Sequence, residues 1–151
     1  MYKRRVTVRG IILDGNKVFA QQLIKTVERG DDWWCTPGGG VDDGEELITA
    51  LNREMIEQTG VKPDIGKLLF IQQYAESDTL EQLEFFFHIK NTEDYKEINL
   101  DNTTHGNIEI AHYGFVGPTE FNLLPADLQN LNIVDHISQN HPVSFFTHLT
   151  K

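Results

Sequence analysis

The sequence holds a single cysteine, Cys35, in 151 residues. Neither an intramolecular disulfide nor a cysteine-rich zinc site can be built from it. One thiol suits a reducing compartment, and the expected location is cytoplasmic. Long hydrophobic runs are also missing. The basic start Met1-Tyr2-Lys3-Arg4-Arg5 is followed only by Ile11-Ile12-Leu13 before Asp14. That falls short of the roughly 7–15 apolar residues of a signal peptide and the roughly 20 of a membrane span. Positive charge is scarce: 13 Lys+Arg stand against 23 Asp+Glu, a formal net charge of −10. This balance argues against a nucleic-acid duplex as partner. It is compatible with a small phosphorylated ligand bridged by cations. No repeat or Pro/Gly/Ser linker divides the chain, and its length predicts one domain over residues 1–151.

What is present reads as alternating strands and helices. Val6 to Leu13 is expected as a strand, with Lys17 to Leu23 as the second arm of a hairpin around Asp14-Gly15-Asn16. Ile24 to Asp32 is polar and reads as a loop, and Trp33-Trp34-Cys35-Thr36 as a short β-prone run stopped by Pro37. Glu46 to Thr59 is the clearest helix. Ile48, Leu51 and Met55 recur at helical spacing towards a core, Gly60 is placed to end the helix, and Pro63 prevents continuation. Leu68 to Tyr74 and Leu83 to Ile89 read as strands, the second almost wholly apolar and so central. After a polar excursion from Asn91 to Asn107, Ile108 to Val116 returns as a strand and Pro118-Thr119-Glu120 opens a short helical turn. A last helix is expected over Asp127 to Asn140, with Leu128, Leu131, Val134 and Ile137 on one face. This order predicts a mixed sheet with helices packed on it.

The central helix carries charge on a second face. Glu54, Glu57 and Gln58 project together at 100° per residue, and Arg53 can reach Glu57 at i+4. Two carboxylates about 4 Å apart repel by about 4 kcal/mol at an effective dielectric of 20. A solvated helix relieves this by splaying the side chains, whereas a site places a divalent cation between them. Gly38-Gly39-Gly40 can turn a backbone carbonyl towards that face. Oxygen-only ligands, with no His or Cys at matching spacing, point to Mg²⁺ or Mn²⁺ rather than Zn²⁺. The glycines form neither a dinucleotide fingerprint, since Asp43 stands at the third glycine position, nor a P-loop, since Glu45-Glu46 follow Gly44.

The spacing Gly39, Glu45, Arg53-Glu54-Met55, Glu57-Gln58, Gly60-Val61 resembles the Nudix box, G-x5-E-x7-R-E-U-x-E-E-x-G-U with U a bulky apolar residue. A looser resemblance runs from Val8 to Leu128. It implies an α/β/α sandwich with a mixed β-sheet between helices, and hydrolysis of a nucleoside diphosphate linked to another moiety, with Mg²⁺ or Mn²⁺. By position, Glu54 and Glu57 are implied as metal ligands, with the Gly38 carbonyl, while Glu45 and Arg53 orient Glu54. Gln58 stands where the family usually has Glu. Its amide oxygen can still ligate a hard cation, but one negative charge is gone and fewer or weaker ions are expected. Gln58 also leaves open a relative that binds nucleotide without turnover and acts as a regulatory module. Many relatives are dimers, so a homodimer is a further expectation.

Outside the box, Glu109 is the candidate for a catalytic carboxylate at the start of a late strand, with Glu84 as a second candidate or else a residue buried against an arginine. His105 is considered as a loop acid or base. Arg9 on the first strand, Trp34 as a stacking ring, and Gly39 and Gly40 are assigned to substrate contact. The identity of the nucleotide sits in loops such as Val27 to Asp32 and Ser77 to Glu81, which carry no readable code. Cys35 reads as a small buried residue.

Overall fold

The alternation of side chains along one strand, Leu80–Ile89, organises two apolar cores. Phe87 and Ile89 enter one core with Phe85 packed against it, while Phe86 enters the other. The structure is a computed structural model and describes residues 3–129, 132–139 and 141–149. Its strands are β1 (Lys3–Ile11), β2 (Leu13–Asp14), β3 (Lys17–Leu23), β4 (Trp34–Cys35), β5 (Gly38–Gly40), β6 (Ile65–Ala75), β7 (Leu80–Ile89), β8 (Ile110–Val116), β9 (Leu123–Leu124) and β10 (Ser144–His148). The helices are α1 (Ile24–Glu28), α2 (Leu47–Thr59), α3 (Gly106–Glu109) and α4 (Ile133–Ser138), with 3₁₀ turns at Thr92–Tyr95, Leu100–Asn102 and Ala126–Gln129.

One sheet runs β10-β6-β7-β1-β5 and is mixed: β1 is parallel to β7 and β10 to β6, while β6–β7 and β1–β5 are antiparallel. In a second sheet, β3 pairs with β8 along one edge and with β2 and β4 along the other, and β9 extends β4. Helix α2 covers one face of the first sheet through Ala50, Leu51 and Met55. The 3₁₀ turn with Leu128 and α4 with Ile133 cover the other face. The sandwich of helices around a mixed sheet agrees with the sequence expectation, as does the place of β7 as third of five strands.

Several elements differ from what periodicity predicts. The first strand does not simply fold back on itself. β1 belongs to the larger sheet, and the chain crosses at Ile12 into β2, which forms the tight hairpin with β3. The polar segment after β3 contains α1, anchored by the buried Thr26. In α2 the core stripe is Ala50, Leu51, Met55, Gln58 and Thr59, and Ile48 is 44% exposed, because the helix is turned slightly from the axis its apolar residues suggest. Ile108 and Glu109 lie in α3 rather than in the strand. The last expected helix is broken into a 3₁₀ turn and α4, with Val134 exposed and Ile137 half-buried. Leu131 lies outside the described residues. β10 was not expected. Its Phe146 packs on Phe70 and it completes the larger sheet beside β6.

Candidate active site

The site is assembled where β5 lies against α2. β5 is a strand of three glycines paired to β1 through Thr7–Gly40, Val8–Gly39 and Arg9–Gly38. Side chains are excluded there on both sides. A Cβ on Gly38 would lie 2.0 Å from the Val8 carbonyl oxygen, and its φ of 144° belongs to glycine. A Cβ on Gly39 would lie 2.4 Å from the Glu54 carboxyl carbon. The missing side chain is therefore the space into which the Glu54 carboxylate fits.

Arg53 ties the acidic residues together. Its Nε donates to Glu45 Oε2 and its Nη2 to Glu45 Oε1, both at 2.9 Å, while Nη2 also donates to the Gly40 carbonyl at 2.9 Å. Nη1 donates to Glu54 Oε1 at 3.0 Å and to Glu57 Oε2 at 3.3 Å. The two carboxylates thus converge on one nitrogen, as charge repulsion alone would not allow. The charge-assisted bonds from Arg53 hold the Glu45 carboxyl down to about 2. Burial pushes Glu54 the other way, above the usual carboxylate range, despite the hydrogen bond and charge of Arg53. Glu54 and Glu57 are hard oxygen donors of the kind Mg²⁺ or Mn²⁺ takes, but their common focus is filled by Arg53 Nη1, and among the described residues no group of three or more His, Cys, Asp or Glu side chains is gathered around a space for an ion.

Gln58 does not join them. It is 6% exposed and belongs to the buried stripe seven residues beyond Leu51. Its Oε1 accepts from the Gly38 N–H at 3.1 Å and from Gln21 Nε2 at 3.0 Å, and its Nε2 donates to the Gly38 carbonyl at 2.8 Å. The projection that grouped positions 54, 57 and 58 is therefore corrected: 54 and 57 face the cleft, and 58 points under β5.

The C-terminal end of α2 is met by α3. The His105 N–H donates to the Glu57 carbonyl at 3.0 Å, closing one of the helix's orphan acceptors. The His105 imidazole Nδ1 stands 3.6 Å from Glu57 Oε2. Glu109 ends α3, is exposed, and among the described residues makes no ion pair. Glu84 is buried and accepts from Thr7 Oγ1 at 2.9 Å and Arg9 Nε at 3.1 Å, so it is the partner of an arginine.

On the other face of the large sheet lies a cavity of about 500 Å³. Arg5 and Arg9 of β1, Gln82 and Glu84 of β7, and Gln72 and Tyr74 of β6 form its floor, in register across three strands. Lys25, Arg29, Trp33, Asp127 and His148 line its walls. Arg9 connects the two regions, donating through Nη1 to the Thr36 carbonyl at 3.2 Å and placing its charge within reach of Glu54. Trp33, not Trp34, lines the cavity. Trp34 packs against Phe121 with ring centroids 5.0 Å apart and against His112. Cys35 lies at the cavity wall, buried, with its thiol pushed up by burial.

Most of the cavity floor went unremarked from sequence. A signal was there: Arg5 and Arg9 are four apart on a strand and so share a face. Alternation along Trp33-Trp34 turns one ring outward without saying which, and no comparable signal marks Tyr74 or His148, which meet the cavity only through tertiary packing.

Comparison with known proteins places this arrangement. A family model described as NUDIX domain matches residues 3–137. The RNA pyrophosphohydrolase of Pelagibacter ubique (strain HTCC1062) is 43% identical over 47 residues, 31% of this chain and 28% of that protein. Diphosphoinositol polyphosphate phosphohydrolase 2 of Rattus norvegicus is 45% identical over 49 residues, 32% of this chain and 27% of that protein. The alignments thus span under a third of these relatives' own lengths. Among solved structures, the E. coli ORF135 protein matches with TM-score 0.69 at 19% identity, covering 93% of this chain and 96% of that one. A UDP-X diphosphatase matches with TM-score 0.68 at 20% identity, covering 96% and 68%. At these identities the structural likeness is one of fold.

Proposed function

The chain belongs to the NUDIX family, and from that premise we propose that it is a divalent-metal-dependent hydrolase cleaving a pyrophosphate bond in a small nucleoside diphosphate derivative. The observation that carries the reading is the convergence of Glu54 and Glu57 on Arg53 Nη1, at 3.0 and 3.3 Å, beside a glycine strand shaped around the Glu54 carboxylate. Glu54 and Glu57 would hold Mg²⁺ or Mn²⁺, which when bound supplies charge neutralisation of the diphosphate and a more acidic water.

This chain's residues do the rest. Glu45 fixes the Arg53 guanidinium by two parallel bonds, and Arg53 fixes the rotamers of Glu54 and Glu57. Glu54, fixed beside the β5 backbone, is one of two groups that would take the proton from water. Glu109 ends α3, the short helix that meets α2, and is the alternative base. Trp33 and Tyr74 give the cavity apolar faces for a nucleoside, and Arg5, Arg9, Lys25 and Arg29 give it cations for phosphate. The substrate would span from that cavity past Arg9 to the β5 backbone at Gly39 and Gly40.

The test is a hydrolysis screen over nucleoside triphosphates, ADP-ribose, sugar nucleotides and dinucleoside polyphosphates, with Mg²⁺ and with Mn²⁺. Turnover of one class that disappears with chelator and in Glu57→Gln is expected. Binding of nucleotide with no turnover of any class would favour the regulatory module instead.

A further inference from the structure

We infer that Gln72, Gln82 and Glu84, on the floor of the cavity, read the exocyclic amino group of a nucleobase, so that the substrate carries cytosine or adenine and not uracil or hypoxanthine. This rests on the nucleotide reading above and narrows its substrate class.

Three hydrogen-bond acceptors are left over on that floor. The Oε1 atoms of Gln72 and Gln82 are buried and have no hydrogen-bond partner, in residues that are 7% and 3% exposed. Glu84, 5% exposed, takes both of its bonds, from Thr7 Oγ1 and from Arg9 Nε, on Oε2. Its Oε1 accepts nothing among the described residues. Buried acceptors without a donor are costly, and three on one cavity floor call for a ligand that brings hydrogens.

The protein's nearest donors are already spent. Arg9 gives Nε to Glu84 and Nη1 to the Thr36 carbonyl. Gln82 gives Nε2 to Glu76 Oε2, so only its acceptor is left. Gln72 is uncommitted at both ends among the described residues, and its amide can turn about the last torsion without breaking a protein bond.

The strand register selects the donor. Gln72 stands directly opposite Glu84 on antiparallel strands, and Tyr74 opposite Gln82 in the next row. Side chains paired in this way start about 5 Å apart at Cβ. An amino group carries two hydrogens on one nitrogen and can give one to each of two facing acceptors. A ring N–H carries one. A carbonyl carries none and would bring a further oxygen against those of Gln72 and Glu84. Cytosine and uracil differ by this exchange of amino for carbonyl, as do adenine and hypoxanthine. The charge of Glu84 steepens the contrast, because a buried carboxylate both bonds a donor strongly and repels an acceptor strongly.

The experiment is isothermal titration calorimetry of the full chain with CMP, UMP, AMP and IMP, which hold no pyrophosphate bond to cleave. In at least one of the pairs CMP/UMP and AMP/IMP the amino member should bind at least about 10-fold tighter, with neither keto member preferred. Equal affinities within both pairs, or preference for a keto member, overturn the inference and leave the nucleotide reading in place. No binding of any of the four up to millimolar concentration overturns both. The variant Gln72→Met supplies a second readout. It removes a buried unpaired acceptor and no protein hydrogen bond, so the melting temperature should hold or rise while the preference for the amino base falls by about 5-fold or more. A lower melting temperature with the preference intact would make Gln72 a packing residue, and the inference fails.

Discussion

Arg53 and Glu45 form a two-bond pair, Nε to Oε2 and Nη2 to Oε1, each at 2.9 Å, eight residues apart across the start of α2. The pair makes Arg53 a fixed cation and not a mobile one, so Glu54 and Glu57 are positioned before any ligand arrives. A single substitution at Glu45 therefore acts on residues it does not touch.

The first prediction follows from that pair. The Glu45 carboxyl is depressed to about 2 in the folded chain by Arg53, below its ordinary value of about 4.3. Its stabilising contribution is present above the ordinary value and is lost as pH falls through the folded one. The melting temperature difference between wild type and Glu45→Gln should be largest near neutral pH and shrink on acidification from about pH 4.5 towards 2. A difference independent of pH would show that the ion pair does not carry the effect.

Gly39→Ala separates site from fold. Its Cβ would collide with the Glu54 carboxylate, the free end of a flexible side chain. Stability should fall by less than about 1.5 kcal/mol, while kcat falls by about 10²-fold because Glu54 is displaced. Gly38→Ala meets backbone at 2.0 Å and should instead lower the melting temperature severely. Urea denaturation and initial rates on both variants check the contrast.

The two tryptophans should divide in the same way. Trp33→Ala, at the cavity wall, should raise KM about 10-fold, a loss of roughly 1.4 kcal/mol, with little change in melting temperature. Trp34→Ala removes the ring packed on Phe121 and should cost about 2–4 kcal/mol of stability with KM unchanged. Steady-state kinetics beside thermal denaturation distinguishes them.

Glu57→Gln should abolish most turnover, by 10²-fold or more, with a stability change below about 0.5 kcal/mol. The side chain is half-exposed, and Arg53 remains paired to Glu45 and Glu54. Wild-type rates in a folded Glu57→Gln protein would remove Glu57 from the metal site.

What could be read from sequence tracks how local its cause is. Helix α2 and its end at Gly60 depend on residues within one turn of each other, and both are where the spacing puts them. The Glu45–Arg53–Glu54 contact joins α2 to the turn just before it, and the family resemblance, not helical spacing, implied it. Gln58 was misplaced because helical projection cannot tell a cleft from a core at the boundary between two faces; Gly38 decided it from twenty residues away. Val134 was expected in the core because a continuous helix was assumed, whereas the chain breaks between the 3₁₀ turn and α4. β10 has an ordinary β-prone sequence, but its parallel partner β6 is more than seventy residues earlier, and no local pattern announces such a pairing.

The cavity takes part of its floor from β1 and part of its wall from β10. Arg5 comes from the first strand, and His148 from the last, where its ring is held by Asp127 at 2.9 Å. The pocket is complete only with β10 docked beside β6. A bound ligand would in turn hold β10 against β6 and slow amide hydrogen exchange across that pair.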